Sequence, residues 1–150
     1  MFSGLQPDVG RVRDTGGMTR FGIDAHVAIR LARERLVVPP EHKLVAPGVL
    51  RSQALRLVYR SYRQNELSSA EAKSILDGVT TMDIRLLGDR VSRGRAWRLA
   101  EDNGWDDTIA AEYISVAQLQ ADVLVALDPD VLRVAAGLVE IAPFEALSAS

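Results

Sequence analysis

"RFGIDAHVAIRL" at residues 20–31 decides how the chain is read. Its first residues form a short strand-like run that ends on Asp24, and from Ala25 apolar residues recur at helical spacing through about Arg35. A carboxylate at that junction can cap the helix behind it. It can equally belong to a group of acids gathered at one edge of a sheet. The arrangement returns near the other end of the chain. There "DVLVALDPDVL" (122–132) reads as a continuous apolar strand of buried type, then Asp128, then a short helix with Pro129 in its first turn.

Between these two junctions the pattern alternates. "KLVAP" (43–47) suggests a strand, although Pro47 also suits a helix entry. A helix follows from Val49 to about Asn65, with an apolar stripe of Leu50, Ala54, Leu57 and Val58 and with Gln53 on the same side. "SSAEAKSIL" opens another helix, Ser68 and Glu71 standing at capping-box spacing. "DIRLL" (83–87) is a strand candidate. Gly88 and Asp89 then introduce a helix to about Asn103, where "DNG" supplies a stop. Asp107 starts a further helix through about Leu119, and "VEIAPF" (139–144) reads as a last strand. Strands separated by helices, without hairpin signals, predict an α/β fold: an α/β/α sandwich around a central parallel sheet. In open sheets of this kind, sites form outside the carboxyl ends of the strands. Parallel pairing of the strands before Asp24 and Asp128 would bring the two carboxylates to one edge.

Residues 1–19 hold four glycines and no apolar periodicity, which suggests a loose tail before a domain at 20–150, with Met18 a second candidate start. The longest apolar runs fall far short of a membrane helix, and no basic-then-apolar leader opens the chain, so the expected location is cytoplasmic. There is no cysteine, and His26 and His42 are the two histidines. Thiolate chemistry and cysteine-ligated zinc are therefore excluded, and a metal would have to be held by oxygen, which suits Mg²⁺ or Mn²⁺.

The net charge of −2 conceals an uneven layout, because 16 of the 18 basic residues are arginine. Arg51, Arg56, Arg60 and Arg63 form one cluster, Arg90, Arg93, Arg95 and Arg98 another. Arg56, Arg60 and Arg63 share one helical stripe, which can meet phosphates or an acidic partner segment, or lie solvated. Asp24, Asp89, Asp107 and Asp128 all sit where helices begin, a preferred place for aspartate caps, so a capping role stands beside a site role for Asp24 and Asp128. His26 is expected to pack or bond near its helix start, and Trp97 and Trp105 to pack in the core or at its edge. The glycines match neither a phosphate loop nor a dinucleotide fingerprint.

"FGIDAHVAIRL", "LVAPGVLRSQALRLVY", "TIAAEYISVAQLQADVLVALD" and "VEIAPF", in this order and spacing, resemble successive blocks of a PIN domain of the VapC-type toxin family, over roughly residues 20–144. The resemblance implies a Mg²⁺- or Mn²⁺-dependent endoribonuclease, a homodimer, and a toxin-antitoxin setting with an antitoxin-like partner. It places Asp24 and Asp128 as metal ligands and catalytic acids. The family's glutamate falls on Gln53 and its third acid on Ala110, while Ala25 and Ala126 replace the small hydroxyl residues common beside the two aspartates. Two expectations follow. One is a ribonuclease with a weakened site of Asp24, Asp128 and Gln53, Arg51 and Arg56 tracking the RNA backbone. The other is a catalytically inactive PIN-fold binding protein, acting through dimer or antitoxin-like contacts.

Overall fold

The computed structural model describes residues 18–149, so residues 1–17 of the tail expected at 1–19 lie outside the described residues, while Thr19, its last residue, already opens the first strand. The chain alternates strand and helix. In order it forms β1 (Thr19–Ile23), α1 (Ala25–Arg33), β2 (His42–Pro47), α2 (Leu50–Arg63) and α3 (Ser69–Thr81). Then come β3 (Ile84–Leu87), α4 (Arg90–Asn103), α5 (Ile109–Gln120), β4 (Val123–Val125), α6 (Pro129–Ala135) and a 3₁₀ turn at Phe144–Leu147.

Among the described residues four strands form one sheet, all parallel, in the order β3-β2-β1-β4. The register pairs Gly22 with Val45, Ile23 with Val125, and Pro47 with Leu87. Helices α1, α2 and α3 pack on one another, and α5 lies across β1, β2 and β4 between α4 and α6. The result is the expected α/β/α sandwich with a central parallel sheet. β1 is central and reads as buried on both faces, with Phe21 and Ile23 in the core. α5 is correspondingly apolar nearly all round: Ala111, Tyr113, Ile114, Ser115, Val116 and Ala117 are buried. Gly22 lets that helix approach, because a Cβ there would lie 3.2 Å from the Ala117 Cβ and 3.3 Å from Leu124 Cδ1.

Helix ends follow local chemistry. Ser68 and Glu71 form the expected reciprocal capping box of α3, Asp89 caps α4 through the Ser92 N–H, and Gly104 ends α4 at φ 69°. Left-handed residues close two helices earlier than their patterns suggested. Arg35 (φ 53°) turns the chain after α1, which stops at Arg33, and Asn65 (φ 62°) does so after α2, which stops at Arg63. Thr108, not Asp107, is the N-cap residue of α5, although Asp107 still accepts the Ile109 N–H at 3.0 Å.

The expected last strand reduces to a single bridge, Leu124 to Ile141. Leu124 donates to Glu140 O and Ala142 donates to Leu124 O, both at 2.9 Å. On either side the ladder lacks donors: the Val139 N–H turns back to Ala135 O, and Pro143 has none. Among the described residues, no helix is long and apolar enough to cross a membrane.

Candidate functional site

Because β1 and β4 are parallel neighbours, Asp24 and Asp128 meet at the carboxyl edge of the sheet. Asp24 is 1% exposed and both its oxygens are occupied. One accepts the Val27 N–H at 2.9 Å and so caps α1. The other accepts the N–H groups of Leu127 at 3.0 Å and Asp128 at 2.8 Å, across to the loop after β4. Burial pushes the Asp24 carboxyl above its ordinary range, partly offset by the bonds from Asp128, Val27 and Leu127. The side chain ties two strand ends together while it starts a helix.

Asp128 is divided differently. Its Oδ1 accepts the Asp130 N–H at 2.9 Å, capping α6, and its Oδ2 lies 3.8 Å from His26 Nε2. Both aspartates therefore cap a helix at the sheet edge where they meet.

Gln53 stands on α2 facing the same edge, and its carbonyl accepts the Tyr113 hydroxyl at 2.6 Å. Tyr113 is 1% exposed. Burial holds the phenol far above its ordinary value, and the charges of Asp24, Glu112 and Asp128 add to the shift, so the hydroxyl keeps its proton and donates. Tyr113 was not singled out from the sequence. The signal was available, since a tyrosine in the apolar run "YISVA" needs a partner for its hydroxyl when buried.

These donors do not fit a divalent cation well. Mg²⁺ and Mn²⁺ take several oxygens at close range. Asp24 already receives three N–H groups and Gln53 a hydroxyl, which leaves Asp128 Oδ2 as the carboxylate oxygen of the pair without such a bond. Ala110 supplies no ligand. Among the described residues, no three of His, Cys, Asp and Glu are grouped so as to hold a metal ion.

The two arginines assigned to RNA part company. Arg51 bends inward toward Met82 O at 3.4 Å, with its Nε buried and unpartnered. Arg56 is exposed, as are Arg60 and Arg63 on the same stripe. Beside that stripe runs an exposed apolar ridge at i, i+4 and i+7: Leu55, Tyr59 and Tyr62, the two tyrosine rings 6.2 Å apart. Trp105 packs on the small cluster of Ala96, Ala100 and Ala111, whereas Trp97 is 65% exposed on α4.

A scan against protein-family models finds no match to the chain, and a search of curated proteins finds none either.

Proposed function

We propose that the protein is a PIN-like domain, related in pattern to VapC-type toxins, in which the acidic site has become a structural latch and which acts by binding another protein. One observation carries this reading. Both carboxylate oxygens of Asp24, the residue on which a nuclease of this type would depend, are bonded to backbone N–H groups in the buried edge of the sheet. The neutral Gln53 is engaged in the same way by Tyr113.

The α2 surface supports a protein partner. An exposed ridge of Leu55, Tyr59 and Tyr62 flanked by Arg56, Arg60 and Arg63 suits an antitoxin-like amphipathic segment that is acidic along one side. α2 holds no acidic residue, so a two-fold contact through this helix would set arginine against arginine. A homodimer would therefore use another face.

A second reading, a Mg²⁺- or Mn²⁺-dependent ribonuclease of weakened site, is favoured by the meeting of Asp24 and Asp128 beside His26. The deciding experiment is Mn²⁺ calorimetry with an RNA cleavage assay, on the native protein and on the double variant Gln53→Glu/Ala110→Asp. The binding reading expects no Mn²⁺ uptake to millimolar concentration and no cleavage by the native protein. Metal-dependent cleavage by the native protein that is lost in Asp128→Asn would replace it with the ribonuclease. Cleavage by the double variant alone would show a nuclease frame disabled at those two positions.

A further inference from the structure

A second feature occupies the carboxyl edge, on the β2–β3 side. It is a cleft of about 440 Å³, bounded by the ends of those strands, α4 and the start of α5. We infer that this cleft binds a nucleotide by its base and its phosphate. The inference does not rest on the role of Asp24 and Asp128, since neither lines the cleft.

Gly48 and Gly88 stand at its strand-end side. They are neighbours because Pro47 pairs with Leu87 and the Gly48 N–H donates to Leu87 O at 3.0 Å. A Cβ at either position would meet nothing within 4 Å, and neither has a left-handed φ. Packing and backbone conformation thus give no reason for glycine at these two places. What the missing side chains provide is room in the cleft.

α4 supplies Arg93 and Trp97, one helical turn apart at i, i+4. An indole 65% exposed beside a concave surface is a poor use of buried area and a good platform for a flat ring. The Arg93 guanidinium is unpaired among the described residues, and its planar fork suits a phosphate. Across the cleft, Glu112 is half-buried and accepts the Thr108 hydroxyl on Oε2 at 3.1 Å. Its carboxylate retains capacity to accept a ring-edge N–H or an exocyclic amine. A stacking face, an acceptor for a donor edge and an anion receptor, around a space of this size, match the base face, the base edge and the phosphate of a mononucleotide.

The same chemistry can come from a free nucleotide or from the terminal nucleotide of an RNA strand. The test titrates the whole protein with AMP, CMP and GMP, and separately with a 5′-phosphorylated single-stranded hexaribonucleotide. Calorimetry and tryptophan fluorescence are read together. The expected result is saturable sub-millimolar binding with quenching, weakened at least tenfold in Arg93→Gln, Trp97→Ala and Gly88→Val, and unchanged in Asp128→Asn. Gly88→Ala is a milder companion should valine disturb the fold, which melting of the unliganded variants checks. Binding of the mononucleotides identifies a free nucleotide, and binding of the hexamer alone a strand terminus; either supports the inference. No binding of any probe, affinity indifferent to the three cleft variants, or equal displacement by inorganic phosphate alone would overturn it.

Discussion

Asp24 Oδ2 accepts the backbone N–H of Asp128 at 2.8 Å, so the first aspartate holds the second by its main chain and leaves the second side chain free to cap α6. A carboxylate can receive N–H groups on both oxygens; a carboxamide cannot. Asp24→Asn must therefore turn its NH₂ toward Val27 or toward the Leu127–Asp128 pair. A buried donor left without an acceptor costs about 1–3 kcal/mol. Chemical denaturation should show a loss of that size for Asp24→Asn and a larger one for Asp24→Ala. A wild-type midpoint for Asp24→Asn would show that the bonds do not hold the strand ends. It follows that Asp128→Asn is the better control for metal or cleavage assays, because loss in Asp24→Asn would mix fold with chemistry.

Tyr113→Phe removes the hydroxyl that engages Gln53 while keeping the ring in its buried place. Gln53 is half-buried and can turn partly toward solvent, so the loss should be near that of one ordinary hydrogen bond, about 1 kcal/mol. Denaturation of Tyr113→Phe, Gln53→Ala and the double variant forms a cycle. Additive losses would mean that the pair does not interact.

How far the sequence revealed this edge depended on whether main chain or side chain was at issue. Strand period, apolar runs and Asp-led helix starts were enough to place Asp24 and Asp128 at the carboxyl ends of strands in a parallel sheet, because those features are set within a few residues; that the two strands are direct neighbours is a long-range pairing. The engagement of Asp24 by Leu127 and Asp128 joins positions more than one hundred residues apart, and no local pattern encodes it. The strand expected at 139–144 fails for a local reason instead. "VEIAPF" has strand composition, but the Val139 donor is taken by the turn after α6. Arg51 and Arg56 differ by five residues on one helix, yet one bends toward Met82 and the other stays exposed, a difference set by α3 and the approach to β3.

The capping box of α3 makes a pH-dependent contribution. The Ser68 backbone N–H, then its hydroxyl, hold the Glu71 carboxyl below its ordinary value of 4.5. Its proton is therefore bound more weakly in the folded chain than in the unfolded one. The stabilisation is complete above pH 4.5 and is lost as pH falls through the lowered folded value. The melting-temperature gap between the native protein and Glu71→Gln should be constant from neutral pH to about 5 and narrow in more acid solution. A gap that widened on acidification would contradict the assigned direction.

Gly22 offers a test of how closely α5 must ride on the sheet to deliver Tyr113 to Gln53. The glycine lies in the central strand, and a Cβ there meets the Ala117 Cβ at 3.2 Å and Leu124 Cδ1 at 3.3 Å. Ala117 is on α5 itself, one helical turn beyond Tyr113, so the strain cannot be relieved by swinging a long side chain aside. Gly22→Val would have to lift the helix or shift β4, and overpacking of this kind costs about 1–3 kcal/mol. Lifting α5 also draws the Tyr113 hydroxyl away from Gln53. The pair's coupling in the cycle above should then shrink in a Gly22→Val background, whereas a coupling of undiminished size would show that the helix holds its place and that β4 yields instead.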